Sequence, residues 1–207
     1  MTEHIVSSLR LITAPAVEPI TLIEARLHLR LDAEGSPLAH PDDDIVTALI
    51  STAREYMDAR DGILGRCLIT QTWELVLDEF PSAEIKVPLP PLQTISSIKY
   101  DDADGIERTI TASNYLVDTS SQPGWVVPIS TYTWPSTLDG INTVRVRFVA
   151  GYGVAVDVPV RIKQAMLLLI GHWYQQRESV LVGPIATDLP MGVDALLTPL
   201  RVWGFGG

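Results

Sequence analysis

The spacing of apolar positions changes rhythm twice along the chain. Residues 21–31 and 42–57 repeat at three-to-four-residue intervals, residues 68–153 alternate in twos, and residues 159–174 return to the helical interval. In the first helical stretch Thr21 is suited to an N-cap, and Glu24 stands three residues later in the capping-box pattern. Leu22, Ala25, Leu29 and, less well, Leu27 share its spacing, and the helix is expected to end near Leu31. Residues 32–41 hold Gly35, Pro37 and Pro41 and read as a loop. Asp42-Asp43-Asp44 opens the second helix, where carboxylates favour the positive end of the macrodipole. Ile45, Ala48, Leu49, Thr52, Ala53, Tyr56 and Met57 form its apolar stripe, and Asp61-Gly62 is the expected stop. Ahead of both helices, Leu9, Leu11, Ile12 and Val17 are apolar, but Pro15 and Pro19 forbid a regular helix, so residues 1–20 are expected to be an irregular arm.

The middle third reads as short strands separated by turn chemistry. Trp73, Leu75 and Leu77 alternate with Thr72, Glu74 and Val76, and Ile85 and Val87 flank Lys86. Ile95, Ile98 and Tyr100 run into Asp101-Asp102-Ala103-Asp104-Gly105, a hairpin signal that Thr109, Ile110 and Thr111 continue. Residues 115–117, 125–127 and 144–149 complete the set. Val144-Arg145-Val146-Arg147-Phe148 alternates strictly, so one face is buried and the other carries two arginines. The expected product is an antiparallel β-subdomain spanning residues 68–153.

Helical spacing resumes at Val158-Pro159, with Asp157 as cap and Pro159 in the first turn. Ile162, Ala165, Met166, Leu169, Ile170, Trp173 and Tyr174 form a stripe that Leu167, Leu168 and Gly171 widen almost all round. A helix this apolar belongs at the centre of a bundle or against another subunit. Residues 180–185 are apolar but broken by Gly183 and Pro184; residues 193–197 suit one or two helical turns before Pro199. Val202, Trp203 and Phe205 in a glycine-rich stretch would form an adhesive patch unless they fold back or dock on a partner.

The fold class is therefore α+β: a helical bundle frame with an inserted antiparallel β-subdomain and extended N- and C-terminal arms. The expected organisation is an arm and two helices over residues 1–67, the β-subdomain over 68–153, and a long core helix with a C-terminal arm over 154–207. A chain of 207 residues with 46% hydrophobic and 19% charged residues can bury a substantial core. The strongest apolar run, residues 165–170, is far shorter than the ~20 residues a bilayer requires. Met1-Thr2-Glu3-His4 is not the basic start of a secretion signal. No membrane association is expected.

Charge and side-chain inventory exclude more than they suggest. A net charge of −10 argues against a protein that grips nucleic acid through its phosphates, though not against DNA passing beside it. One cysteine, Cys67, allows neither an intrachain disulfide nor a cysteine metal site, and reads as a small buried apolar residue. His4, His28, His40 and His172 show no metal-ligand spacing. Gly151-Tyr152-Gly153 lacks the remainder of a phosphate loop and reads as a turn leaving a strand. There is no Gly-x-Ser-x-Gly elbow. No catalytic residue, metal or cofactor is assigned, and the chain is expected not to be an enzyme.

Several strings in fixed order resemble one family. Leu11-Ile12-Thr13-Ala14-Pro15, Pro19-Ile20-Thr21-Leu22-Ile23-Glu24-Ala25-Arg26, the helix from Asp43 through Tyr56, and Leu68-Ile69-Thr70-Gln71-Thr72-Trp73-Glu74-Leu75 match its opening. Pro90-Pro91-Leu92-Gln93-Thr94-Ile95-Ser96-Ser97-Ile98-Lys99-Tyr100 is the most specific string. Arg147-Phe148-Val149-Ala150-Gly151-Tyr152-Gly153, Pro159-Val160-Arg161-Ile162-Lys163-Gln164-Ala165 and His172-Trp173-Tyr174 complete it. Together they resemble phage head-tail connector (adaptor) proteins, in the long-insertion type found in prophages and gene transfer agents. The resemblance implies a structural subunit of a homo-oligomeric, typically dodecameric ring in the neck of a particle assembled in the bacterial cytoplasm. It also implies a portal protein above, a tail-completion (stopper) protein below, and DNA passing through the channel without sequence-specific binding. On that resemblance the portal contact falls on Ile185, Leu189, Leu196, Leu197, Leu200, Arg201, Val202, Trp203 and Phe205, with Arg201, Trp203 and Phe205 as anchors.

Two other readings compete. A small β-rich carbohydrate-binding module or enzyme would use Trp73, Trp125 and Trp134 as a platform, or carboxylates drawn from Glu74, Asp78 and Glu79. A homo-oligomer with no role in a phage-like particle would share the apolar ends but not portal and tail genes as neighbours.

Overall fold

A computed structural model describes residues 7–31, 39–176 and 191–202. The chain divides into two compact units, one of Met1–Ala16 with Thr70–Tyr152 and one of Val17–Ile69 with Gly153–Gly207. Strands fill the first and helices the second, so the class is α+β.

The strand unit contains β1 (Ser7–Thr13), β2 (Gln71–Leu77), β3 (Ile85–Val87), β4 (Leu92–Asp101), β5 (Glu107–Thr109), β6 (Tyr115–Asp118), β7 (Gly124–Pro128) and β8 (Val144–Ala150). One sheet runs β1-β2-β8-β4-β5 and the other β3-β7-β6, with antiparallel pairing throughout. The segment expected to be an irregular arm is instead the edge strand β1, pairing Leu9 with Leu75 and Leu11 with Trp73. Pro15 and Pro19 lie beyond its end and do not interrupt it. The reason it escapes a local reading is that its partner lies some sixty residues downstream.

β8 sits at the centre of the larger sheet, between β2 and β4. Val144, Val146, Phe148 and Ala150 are all fully buried. Its two arginines face the other way and are neutralised: Arg145 bonds Asp101 and Glu107, and Arg147 bonds Glu74, its cross-strand partner. The β4–β5 hairpin turns where the acidic string predicts. Asp102 accepts from the backbone N–H groups of Asp104 and Ile106, and Gly105 takes φ +76°. Hydrogen bonds from Arg108 hold the Asp102 carboxyl below the ordinary carboxylate range.

The helical unit contains α1 (Leu22–Leu29), α2 (Asp43–Met57), α3 (Val160–Gln175) and α4 (Met191–Leu197). The capping box forms as read: the Glu24 N–H donates to Thr21 Oγ1, and Glu24 accepts from the Thr21 N–H at 2.7 Å. α2 departs from expectation in two ways. Its buried face is Val46, Ile50, Ala53 and Met57, while Ile45, Ala48 and Thr52 are exposed. Both sets have helical spacing, so periodicity cannot choose between them, and the contacts made by α1 and α3 do. The helix also stops at Met57 and not at Asp61-Gly62, because Asp58 turns extended and its carboxylate accepts from the Leu68 N–H. Gly62 serves a close approach: a Cβ there would lie 2.3 Å from the Met57 carbonyl carbon.

α3 contacts α1, α2 and α4 and is the centre of this unit. Ile162, Ala165, Met166, Leu169 and Ile170 are buried as predicted, but Trp173 and Tyr174 are half-buried. Trp173 meets Tyr56 edge-on at 6.2 Å, and the Tyr174 hydroxyl bonds Asp42. Pro159 is the N-cap, and Asp157 instead accepts from the Val154 N–H in the preceding turn.

The second unit holds one ion pair whose burial the sequence did not announce. Arg26 is only 4% exposed, and its guanidinium donates from Nε and Nη2 to the two oxygens of Asp43, joining α1 to α2. Those hydrogen bonds, against a smaller opposing effect of burial, hold the Asp43 carboxyl below its ordinary range. A depressed carboxyl stabilises the fold above the unfolded-state range near pH ~4 and stops doing so as pH falls through its folded value. Asp43→Asn is therefore expected to lower the melting temperature at neutral pH. The gap from the unmodified protein should close on acidification, as thermal melts between neutral and strongly acid pH would read. A gap independent of pH would show that the Asp43 charge is not what holds α1.

Candidate assembly interface

The C-terminal segment is the first place to look, because the resemblance puts the portal contact there. Of its residues, Ile185, Leu189, Trp203 and Phe205 lie outside the described ones. Leu197 is fully buried, as is Val193 one turn earlier, and these side chains seat α4 within its own unit. Leu196, Leu200, Arg201 and Val202 are half-buried. The Val202 N–H donates to the Leu64 carbonyl at 3.0 Å. Gly65, at φ +62°, lets the Val202 carbonyl come within 3.3 Å of where a Cβ would stand. Arg201 donates to Asp194 from Nη2 at 2.8 Å, while its buried Nε finds no acceptor among the described residues. The chain is thus tethered to its own unit up to Val202.

The outer faces of the helices are the second place. α1 has apolar residues on both sides. Ala25 faces in, whereas Ile23 and Leu27, one turn apart, are 59% and 54% exposed. Val154, Val156 and Val160, just before and at the start of α3, are exposed as well. Glu24 and Lys163 pair at 3.3 Å and hold the first turn of α1 beside the first turn of α3. With Val17 and Ile45 these make seven exposed large aliphatic side chains among the described residues of this unit, more than the scattered singles of an ordinary surface.

The strand unit carries the residues of the carbohydrate reading, and it does not arrange them as a platform. Trp73 is buried and donates its indole N–H to Gln71. Trp134 stacks on Phe80 at 5.0 Å and 5°, with its N–H on the Ala83 carbonyl. Trp125 is half-buried in β7. Glu74 is engaged by Arg147, and Asp78 by the Asn142 N–H. A cleft of about 700 Å³ is bordered by Asp78, Glu79, Phe80, Trp134 and Asp139. Phe80 and Trp134 each spend one ring face on the other, and Tyr100 and Tyr132 meet them edge-on, so the rings are engaged as a packed cluster.

The remaining chemical candidates fall to structural roles. Cys67 is buried. His40 accepts from the Asp42 N–H and donates its own backbone N–H to Asp43, so it shapes the start of α2. His28 packs beside Gly171. His172 is half-buried on α3. Gly151 and Gly153 have φ of +125° and +130° at the exit from β8, the turn expected of them. Among the described residues no group of three or more His, Cys, Asp or Glu could hold a metal ion, and no helix is long and apolar enough to cross a membrane.

No protein-family model matches the sequence, and no curated protein matches it. Solved structures do match, over the full length. A chain from the neck of an empty gene transfer agent particle, computed with C6 symmetry, superposes with a TM-score of 0.73 at 26% identity, covering 97% of this chain and 98% of that one. A chain from the virion of a native gene transfer agent particle gives 0.68 at 25% identity, covering 96% and 98%. A chain from the neck of a native particle, computed with C12 symmetry, gives 0.63 at 22% identity and shares the fold. The α+β architecture matches that of a chain from a gene transfer agent neck over 97% of this chain, in agreement with the connector resemblance carried by the sequence strings.

Proposed function

We propose that this chain is the head-to-tail adaptor subunit of a gene transfer agent or related phage particle. Copies form a ring, dodecameric on the family pattern, between the portal and the tail-completion protein, and line the channel through which DNA leaves. The observation that carries this reading is the end-to-end match, with both units included, to a neck protein. The matches span 96–97% of this chain and 98% of the other chain, so the likeness takes in both units. The net charge of −10 suits a channel wall that does not hold a duplex back. The role is structural and needs no cofactor.

In this reading the portal contact is built by Leu196, Leu200, Arg201 and Val202 with Ile185, Leu189, Trp203 and Phe205, while Leu197 holds α4 in place behind them. Arg201 is oriented for that contact by the hydrogen bond its Nη2 donates to Asp194. Aromatic and arginine side chains set into desolvated pockets dominate such contacts. Deleting the gene in the producing strain is expected to leave heads that package DNA but carry no tails, seen by negative-stain microscopy, with DNA transfer lost. Tailed, transfer-competent particles from the deletion strain would refute the proposal.

A further inference from the structure

The helical unit leaves two different surfaces open, and they complement each other. The first is a ridge made by Ile23 and Leu27, one turn apart on α1; Val160, 78% exposed, stands in the first turn of α3, which the Glu24–Lys163 pair holds beside the first turn of α1. Arg30, at the left-handed cap that ends α1, and Arg161, next to Val160, are exposed on the same helices. The second is the face of α2 turned away from Val46, Ile50, Ala53 and Met57. It presents Ile45, Ala48 and Thr52, with Asp44 and Glu55 exposed on the same side. Its central side chains are short, so it is a shallow strip into which a ridge of longer aliphatic residues can pack. Arg30 and Arg161 put exposed positive charge on the ridge's helices, where Glu24 is paired with Lys163, and Asp44 and Glu55 put exposed negative charge on the strip, where Arg54 pairs with Glu55 at 3.4 Å.

Resting on the neck reading above, we infer that ridge and strip are the two halves of one contact between neighbouring copies of this chain. Cyclic assembly requires such a pair: each subunit must meet its neighbour through two unlike surfaces, and the contact repeats until the ring closes. The alternative, ridge against ridge across a twofold axis, would bring Arg30 and Arg161 against a second set of arginines. Opposite charge across the ridge–strip contact selects the head-to-tail arrangement and fixes its register. The inference also accounts for α1 itself. An eight-residue helix needs one inward apolar face to pack on its unit, and Ile23 and Leu27 add a second that the isolated subunit does not use.

The test replaces Leu27 with the photo-crosslinker p-benzoyl-L-phenylalanine in the full chain. Purified particles are irradiated, and the crosslinked peptides are identified by mass spectrometry. Leu27 is exposed, so the substitution leaves the fold intact, and presence of the protein in purified necks verifies this. The expected product is a covalent dimer on a denaturing gel, and the crosslink in that dimer band joins residue 27 to residues 43–57 of the other copy; the same linkage found only in the monomer band overturns the inference. Joining residue 27 to residue 27 of a second copy, to another segment, or to a different protein overturns the inference while leaving the neck reading standing. Absence of the protein from purified necks, when the unsubstituted chain is absent too, sinks both. As a second measurement, Leu27→Asp is expected to reduce the protein recovered in necks at least ten-fold with an unchanged melting temperature. Unchanged recovery overturns the inference.

Discussion

Phe148→Ala is expected to destabilise the strand unit by ~3–5 kcal/mol, the range for removing a large fully buried aromatic side chain. Phe148 lies on the central strand β8, opposite Trp73 on β2 and Ile95 on β4, and is wholly buried. Strands pack it from both sides, so the surroundings have little freedom to collapse into the space left. The loss comes from both the transfer of the ring and the residual cavity. A chemical denaturation midpoint or a thermal melt measures it. A change under about 1 kcal/mol would mean that the β8 core is far more adaptable than its close pairing indicates. Arg147→Ala on the neighbouring position is a useful contrast: it removes a partner of Glu74 from the open face without leaving a cavity in the core.

Truncation after Val202 is expected to abolish attachment to the portal while leaving the melting temperature unchanged within error. Val193, Leu197 and the Val202–Leu64 hydrogen bond hold α4 and the segment after it on the helical unit, and all of them remain in the truncated chain. What is lost is Trp203 and Phe205, the aromatic anchors of the proposed contact. Hot-spot aromatics each account for a ten-fold or larger share of affinity, on the order of 2 kcal/mol or more apiece. Loss of two anchors therefore predicts a fall of at least a hundred-fold in particles that carry tails, read by transfer titre and by microscopy. Full titre from the truncated chain would move the portal contact elsewhere. A collapsed melting temperature would mean the truncated residues support the fold. A cut at Pro199 would be less informative, because it also removes the Leu64–Val202 tether.

Local signals were legible where the chemistry is local. The capping box at Thr21 and Glu24, the Asp101–Gly105 turn and the alternation of β8 each depend on residues within a few positions of one another, and each forms as read. What the chain conceals depends on distant partners. β1 is a strand because β2 lies alongside it, and nothing in Ser7–Thr13 alone distinguishes that from a loose apolar segment. α2 offers two apolar faces, and the choice is made by α1 and α3. Arg26 looks like an ordinary surface arginine until Asp43 is brought to it from seventeen positions away. The residues of the proposed ridge are hidden for the same reason. Leu27 reads, less well than Leu22, Ala25 and Leu29, as part of the buried stripe of a short helix, and only the finished unit shows it and Ile23 exposed. The signal that could have found them is the excess of apolar residues on α1, more than one face can bury.

The central claim is that this chain is a neck subunit. Cryo-electron microscopy of particles from the producing strain tests it most directly, with the chain fitted into the density between head and tail. The account predicts a closed ring of copies beneath the portal, the β-sheets and helices both accounted for, and the residues after Val202 directed at the portal. A neck whose density is filled by other proteins, with this chain absent from purified particles, would contradict it.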